Sequence, residues 1–207
     1  MPGRSVLLYA ITDRRMFSDR KSLLKQVASW ADGGVDYVQI REKDLLPSEL
    51  GPLATEIVQA VRASGGNTRV LLNGPAELAI SCGCDGVHLP SGLSPNAMGQ
   101  ARKAIAKAVA DPVISISCHT ISEIQVARDH GASLALFAPV FEKQTDAERM
   151  PGQGLEALSV ACREAVPMPV FALGGITSLN APDCIQAGAA GVAAIRLFTS
   201  EEWQRLK

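Results

Sequence analysis

Eight short apolar runs recur along the 207-residue chain, each followed by a stretch with helical spacing or a helix cap, and this rhythm restricts the fold more than any other feature. The runs span residues 6–12, 37–41, 69–73, 86–89, 113–117, 134–139, 170–173 and 191–195. Their apolar character is nearly continuous. A strand of that kind must be covered on both faces, so the sheet is expected to be parallel and wrapped in helices. Ser48, Ser94, Thr120 with Glu123 three residues on, and Ser178 are the expected caps. Gly33-Gly34, Gly65-Gly66, Gly83, Gly131 and Gly188 stand where helices should end in a left-handed residue. An open doubly wound sheet competes, but no Gly-x-Gly-x-x-Gly follows the first run and the alternation repeats eight times. The expectation is α/β: a single (β/α)₈ TIM barrel over residues 1–207.

Charge removes several function classes. With 20 Lys+Arg against 21 Asp+Glu, no global basic field exists to hold nucleic acid or an anionic membrane. Any bound anion must be held locally, and the expected partner is a small molecule. A homo-oligomer is compatible with the sequence. The five cysteines are an odd number in apolar context, which suits reduced thiols. No stretch reaches transmembrane length and the N-terminal apolar run is too short for a signal peptide, so a cytoplasmic location is expected.

A barrel carries its chemistry on the loops after its strands. The last two runs lead into Gly174-Gly175 and into Ile195-Arg196, where backbone N–H groups at helix starts can hold a phosphate. After the second run, Gln39, Arg41 and Lys43 share one parity, with Ile40, Glu42 and Asp44 between them. Two cations and an amide facing one mouth suit a diphosphate or carboxylate; the alternative is a solvated surface pair. His119 closes the fifth run and is the candidate general acid/base. His88, inside the fourth run, reads as a packed residue, and His130 as a helix C-terminal cation. Residues 141–154 form the longest irregular stretch, which suits a lid over the mouth.

The strings LYAITDR, QIREKD, LLNG, GVHLPSG, SCHT, APVFE, ALGGIT and AGAAGVAAI occur in the order and spacing of one family. Over nearly its whole length the chain resembles the thiamine phosphate synthase superfamily. That superfamily includes the synthase, which joins a hydroxymethylpyrimidine diphosphate to a thiazole phosphate, and the TenI-like thiazole tautomerase, which isomerises a carboxythiazole phosphate. The resemblance implies a thiamine-pathway phosphate ligand, held by Gly174, Gly175, Ile195 and Arg196. It also implies substrate contacts from Gln39, Ile40, Arg41, Glu42, Lys43, Asn73, Ser117 and Thr145.

Departures from the synthase pattern point toward the tautomerase branch. The synthase has Asn-Asp after the third strand and an Asp after the fourth, which hold magnesium; here stand Asn73-Gly74 and Leu89-Pro90-Ser91-Gly92-Leu93. The lysine of the synthase's sixth loop is Asp146. Leu89–Gly92 and Ser117-Cys118-His119-Thr120 resemble the tautomerase instead, while QIREKD keeps its synthase form. The expected reaction is therefore a tautomerase-like proton shift through His119 with no cofactor. The synthase reaction, with Mg²⁺, is the alternative, and a non-catalytic binding homologue the third reading.

Overall fold

The computed structural model describes residues 6–144 and 149–207. Eight parallel strands close into a barrel: β1 (Leu7–Ile11), β2 (Tyr37–Ile40), β3 (Arg69–Leu72), β4 (Gly86–Leu89), β5 (Val113–Cys118), β6 (Leu134–Phe137), β7 (Val170–Leu173) and β8 (Gly191–Ala194). Each barrel strand pairs with its sequence neighbours, and β8 returns to β1 with Leu7 opposite Gly191 and Ala10 opposite Ala194. The expected (β/α)₈ closure is present, and the eight apolar runs are the eight barrel strands.

The helices are α1 (Arg20–Asp32), α2 (Pro47–Ala63), α3 (Ala76–Ser81), α4 (Pro95–Ile105), α5 (Ile121–Asp129), α6 (Gly154–Ala165) and α7 (Ala181–Gln186). No α-helix follows β8; two 3₁₀ segments, Arg196–Thr199 and Glu202–Leu206, take its place. Ser94 and Thr120 cap α4 and α5 as expected, Thr120 in a reciprocal box with Glu123. Ser48 and Ser178 do not cap. Pro47, with its preset φ, starts α2 a residue ahead of Ser48, and the Glu49 carboxylate takes the Leu46 N–H. Thr177 and Asn180 exchange bonds in a turn, Asn180 Oδ1 accepting from Thr177 N–H and Thr177 Oγ1 from Asn180 N–H, so α7 begins only at Ala181.

Two apolar layers explain why the runs are continuous. Side chains of one parity fill the barrel: Tyr9, Ile11, Leu71, Val113, Leu134, Leu136, Phe171 and Ala193 form an inner cluster. The other parity faces outward toward the helices, so that Val38, Ile40, Val70 and Leu72 share one buried cluster with Leu50, Leu53 and Ile57 of α2. The rings of Tyr9, Tyr37 and Phe171, with centroids 5.7 Å apart, plug the interior. Polar inner positions therefore accumulate nearer the C-terminal strand ends. All five cysteines are unpaired thiols. Among the described residues no helix is long and apolar enough to cross a membrane.

Candidate active site at the barrel mouth

The first two loops lock together through one carboxylate. Glu42 is 4% exposed; it accepts from the Thr12 hydroxyl at 2.7 Å and from the Arg14 backbone N–H at 3.0 and 3.1 Å. The Arg14 guanidinium reaches both Glu42 and Asp44, and holds the Asp44 carboxyl well below the usual carboxylate range. Thr12 in turn accepts from the Arg41 N–H at 3.0 Å. Glu42, one of the expected substrate contacts, uses its oxygens here to join the loops after β1 and β2. Ile40, another expected contact, is turned outward by strand parity and is fully buried in the cluster between strands and helices. Glu42→Gln is expected to lower stability by about 1–3 kcal/mol, because it replaces a charged acceptor of several bonds with a neutral amide. Urea denaturation would measure it, and an unchanged midpoint would show the lock to be unimportant.

Gln39 has the opposite character. It points inward and is 1% exposed, yet neither amide atom has a hydrogen-bond partner among the described residues. A buried amide left unsatisfied is costly, so the position suits a ligand that supplies both a donor and an acceptor. Arg41 is partly buried and Lys43 exposed, and neither makes an ion pair among the described residues. Their positive charge reaches His88: burial first, then Arg41 and Lys43, pull its imidazole down to about 3, so the ring is neutral. Asn73, partly buried, donates its backbone N–H to the Ile40 carbonyl at 2.9 Å, which ties the end of β3 to β2.

A polar column that the sequence reading did not assemble runs up the inside of β5. Tyr9 and Ser115 hydroxyls lie 3.1 Å apart, His88 Nδ1 is 2.9 Å from Ser115 Oγ, and His88 Nε2 is 3.0 Å from Ser117 Oγ. The signal was the parity of VISISC, in which Ser115 and Ser117 interrupt the inward-facing apolar positions. Ser117, an expected site residue, stands at the column's partly exposed upper end.

His119 lies exposed at the end of β5. Its Nδ1 donates to the Ala138 carbonyl at 2.7 Å, which makes Nε2 the acceptor nitrogen of the neutral ring. Ala138 also accepts from Gln153 Nε2 at 2.8 Å. The adjoining Pro139 packs on the glycine pair: a Cβ at Gly174 would lie 2.7 Å from Pro139 Cα. His119 is thereby tied to the loop that supports the expected phosphate cup.

That cup has free donors. Gly174 and Gly175 adopt φ of 98° and 65°, and no described residue accepts a bond from the N–H of Gly175, Ile195 or Arg196. The Arg196 side chain is exposed and forms no ion pair among the described residues. β1 lies between the two parts of the site, with Gln39 on β2 to one side and the cup, following β7 and β8, to the other. Residues 143–144 and 149–150, in the loop after β6, pair as a two-residue antiparallel ribbon. Thr145 lies outside the described residues.

Among the described residues the donor set does not fit a magnesium ion held by protein carboxylates. Asp13 is paired with Arg15, Asp44 with Arg14, Glu42 is saturated, and Glu123 accepts the His119 and Thr120 N–H groups. Among the described residues no cluster of three or more His, Cys, Asp or Glu is arranged to hold a metal. Mg²⁺ is normally gripped by at least one carboxylate, and the four described carboxylates named above are engaged elsewhere.

The family profile described as Thiamine monophosphate synthase matches residues 8–198. A putative thiamine-phosphate synthase of Geobacter sulfurreducens is 36% identical over 94% of this chain and 87% of its own length. A thiamine-phosphate synthase of Roseiflexus castenholzii is 30% identical over 94% and 81%. The solved thiamine phosphate pyrophosphorylase from Pyrococcus furiosus superposes with a TM-score of 0.77 at 27% identity, covering 98% of this chain and 92% of that one. These names favour the synthase alternative over the tautomerase reading expected from the lost acids. With the profile spanning the barrel from β1 to the 3₁₀ segment after β8, the chain belongs to the thiamine monophosphate synthase family.

Proposed function

We propose that this chain is a thiamine-phosphate synthase: it binds a thiazole phosphate in the Gly174-Gly175 and Ile195-Arg196 cup and joins it to a hydroxymethylpyrimidine diphosphate. The observation that carries the reading is Gln39, a buried amide with both atoms unpartnered among the described residues, beside two cations that form no ion pair among them, and one strand from the cup. An aminopyrimidine edge offers the donor and acceptor that Gln39 lacks. Arg41 and Lys43 oppose the charge of a diphosphate, whose bond to the pyrimidine methylene breaks as the thiazole nitrogen takes that carbon. The synthase names of the relatives support the same reading.

One observation favours a second reading. His119, with Nδ1 pinned and Nε2 left as acceptor beside the cup, together with a mouth whose described carboxylates are engaged, suits a tautomerase acting on a carboxythiazole phosphate. The two are separated by incubating the protein with each substrate set, following diphosphate release in one and ring isomerisation in the other. Under the synthase reading His119→Ala stays within about threefold of wild type; under the tautomerase reading it loses about 10²–10⁴-fold, the usual contribution of a general acid/base. Isomerisation without any diphosphate release would overturn the proposal.

A further inference from the structure

We propose that the buried column Tyr9–Ser115–His88 sets the hydrogen-bond polarity of Ser117, so that Ser117 presents its hydroxyl hydrogen to the ligand and the group it meets is an acceptor. Tyr9, Ser115 and His88 are then positioning residues. The inference rests on the reading that the ligand occupies this mouth.

The argument is a count of hydrogens. Tyr9 and Ser115 are fully buried and His88 is 4% exposed, so bulk solvent does not reach these groups. Among the described residues the Tyr9 hydroxyl has one polar partner, Ser115 Oγ, and Ser115 Oγ has two, Tyr9 and His88 Nδ1. Burial raises the Tyr9 phenol, which keeps its proton, and the neutral His88 ring carries one N–H. One arrangement satisfies every hydrogen: Tyr9 donates to Ser115, Ser115 donates to Nδ1, and Nε2–H donates to Ser117. If Nδ1 carried the proton instead, Ser115 would have to accept it. Then either the Tyr9 hydrogen or the Ser115 hydrogen would be buried without an acceptor.

Ser117 Oγ, taking the His88 N–H at 3.0 Å, keeps its own hydrogen for the mouth. An anionic oxygen or an unprotonated ring nitrogen satisfies it. An amino group placed there meets only the remaining lone pair and leaves the hydroxyl hydrogen unpaired, so the column selects the orientation of a heterocycle that has both kinds of edge.

Nitrogen-15 NMR on histidine-labelled, ligand-free protein reads the tautomer directly, with the signals assigned by their loss in His88→Asn. A neutral ring protonated at Nε2 is expected at pH 7; a ring protonated at Nδ1, or at both nitrogens, overturns the proposal whatever the enzyme's reaction. A mutant cycle tests the consequence. Tyr9→Phe/Ser115→Ala removes the column with apolar groups of similar shape and keeps the ring packing. It should weaken hydroxymethylpyrimidine diphosphate binding about 2–10-fold, and should have no further effect in a Ser117→Ala background. An equal loss in both backgrounds, or none in either, overturns the positioning role. Failure of wild-type protein to bind that ligand counts against the proposed function alone, since the tautomer is read without it.

Discussion

Gly175→Asp is expected to weaken thiazole phosphate binding by at least about 100-fold. Three effects act in the same direction. Gly175 has φ of 65°, a left-handed conformation that costs an L-residue about 1–2 kcal/mol. A Cβ there would lie 2.7 Å from the Glu142 carbonyl oxygen and 2.8 Å from Phe141 Cβ, so the loop must shift away from the β6 end that supports it. The new carboxylate would then stand in the cup, and like charges about 4 Å apart cost about 4 kcal/mol at the effective dielectric of a protein surface. Gly175→Ala carries the first two effects without the charge, so the difference between the variants isolates the electrostatic part. Calorimetric titration with a thiazole phosphate measures both. Wild-type affinity in the aspartate variant would place the phosphate elsewhere.

Arg41→Ala is expected to lower synthase turnover by about 10²–10³-fold, the effect typical of removing one preorganised donor from a developing charge. Its folding cost should be small. The Arg41 guanidinium makes no ion pair among the described residues, while the backbone N–H that Thr12 accepts survives the substitution. The thermal midpoint should therefore stay near wild type while kcat/KM for the pyrimidine diphosphate collapses. Arg41→Lys should recover only part of the loss, since an ammonium keeps the charge but not the two-pronged fork. Turnover of Arg41→Ala within about threefold of wild type would remove Arg41 from the site and leave Lys43 as the cation to examine.

The contrast between Arg41 and Glu42 shows where reading the chain alone stops. In the string QIREKD, parity separates Gln39, Arg41 and Lys43 from Ile40 and Glu42; in the barrel Gln39 is buried without a partner among the described residues and Ile40 joins the outer cluster. Parity says nothing of what Glu42 meets. Its partners Thr12 and Arg14 stand 30 and 28 residues earlier, and they reach it only because β1 and β2 pair with Ile11 opposite Gln39. His88 is similar. Its place inside an apolar run marks it as buried, but Ser115 and Ser117, 27 and 29 residues on, become its partners through the register of β4 on β5.

The sequence by itself determined the eight strands, the parallel sheet, closure into a barrel, the phosphate-suited ends of β7 and β8 and the family. These follow from apolar period, turn residues and local motifs, which act over a few residues. Only the tertiary structure decided that Glu42 is a lock, that Gln39 is left without a partner, that His88 and two serines form a column, and that 3₁₀ segments stand where an eighth helix was expected. Each of those depends on strand register and on which polar groups closure brings within about 3 Å of one another, and no local pattern encodes that distance.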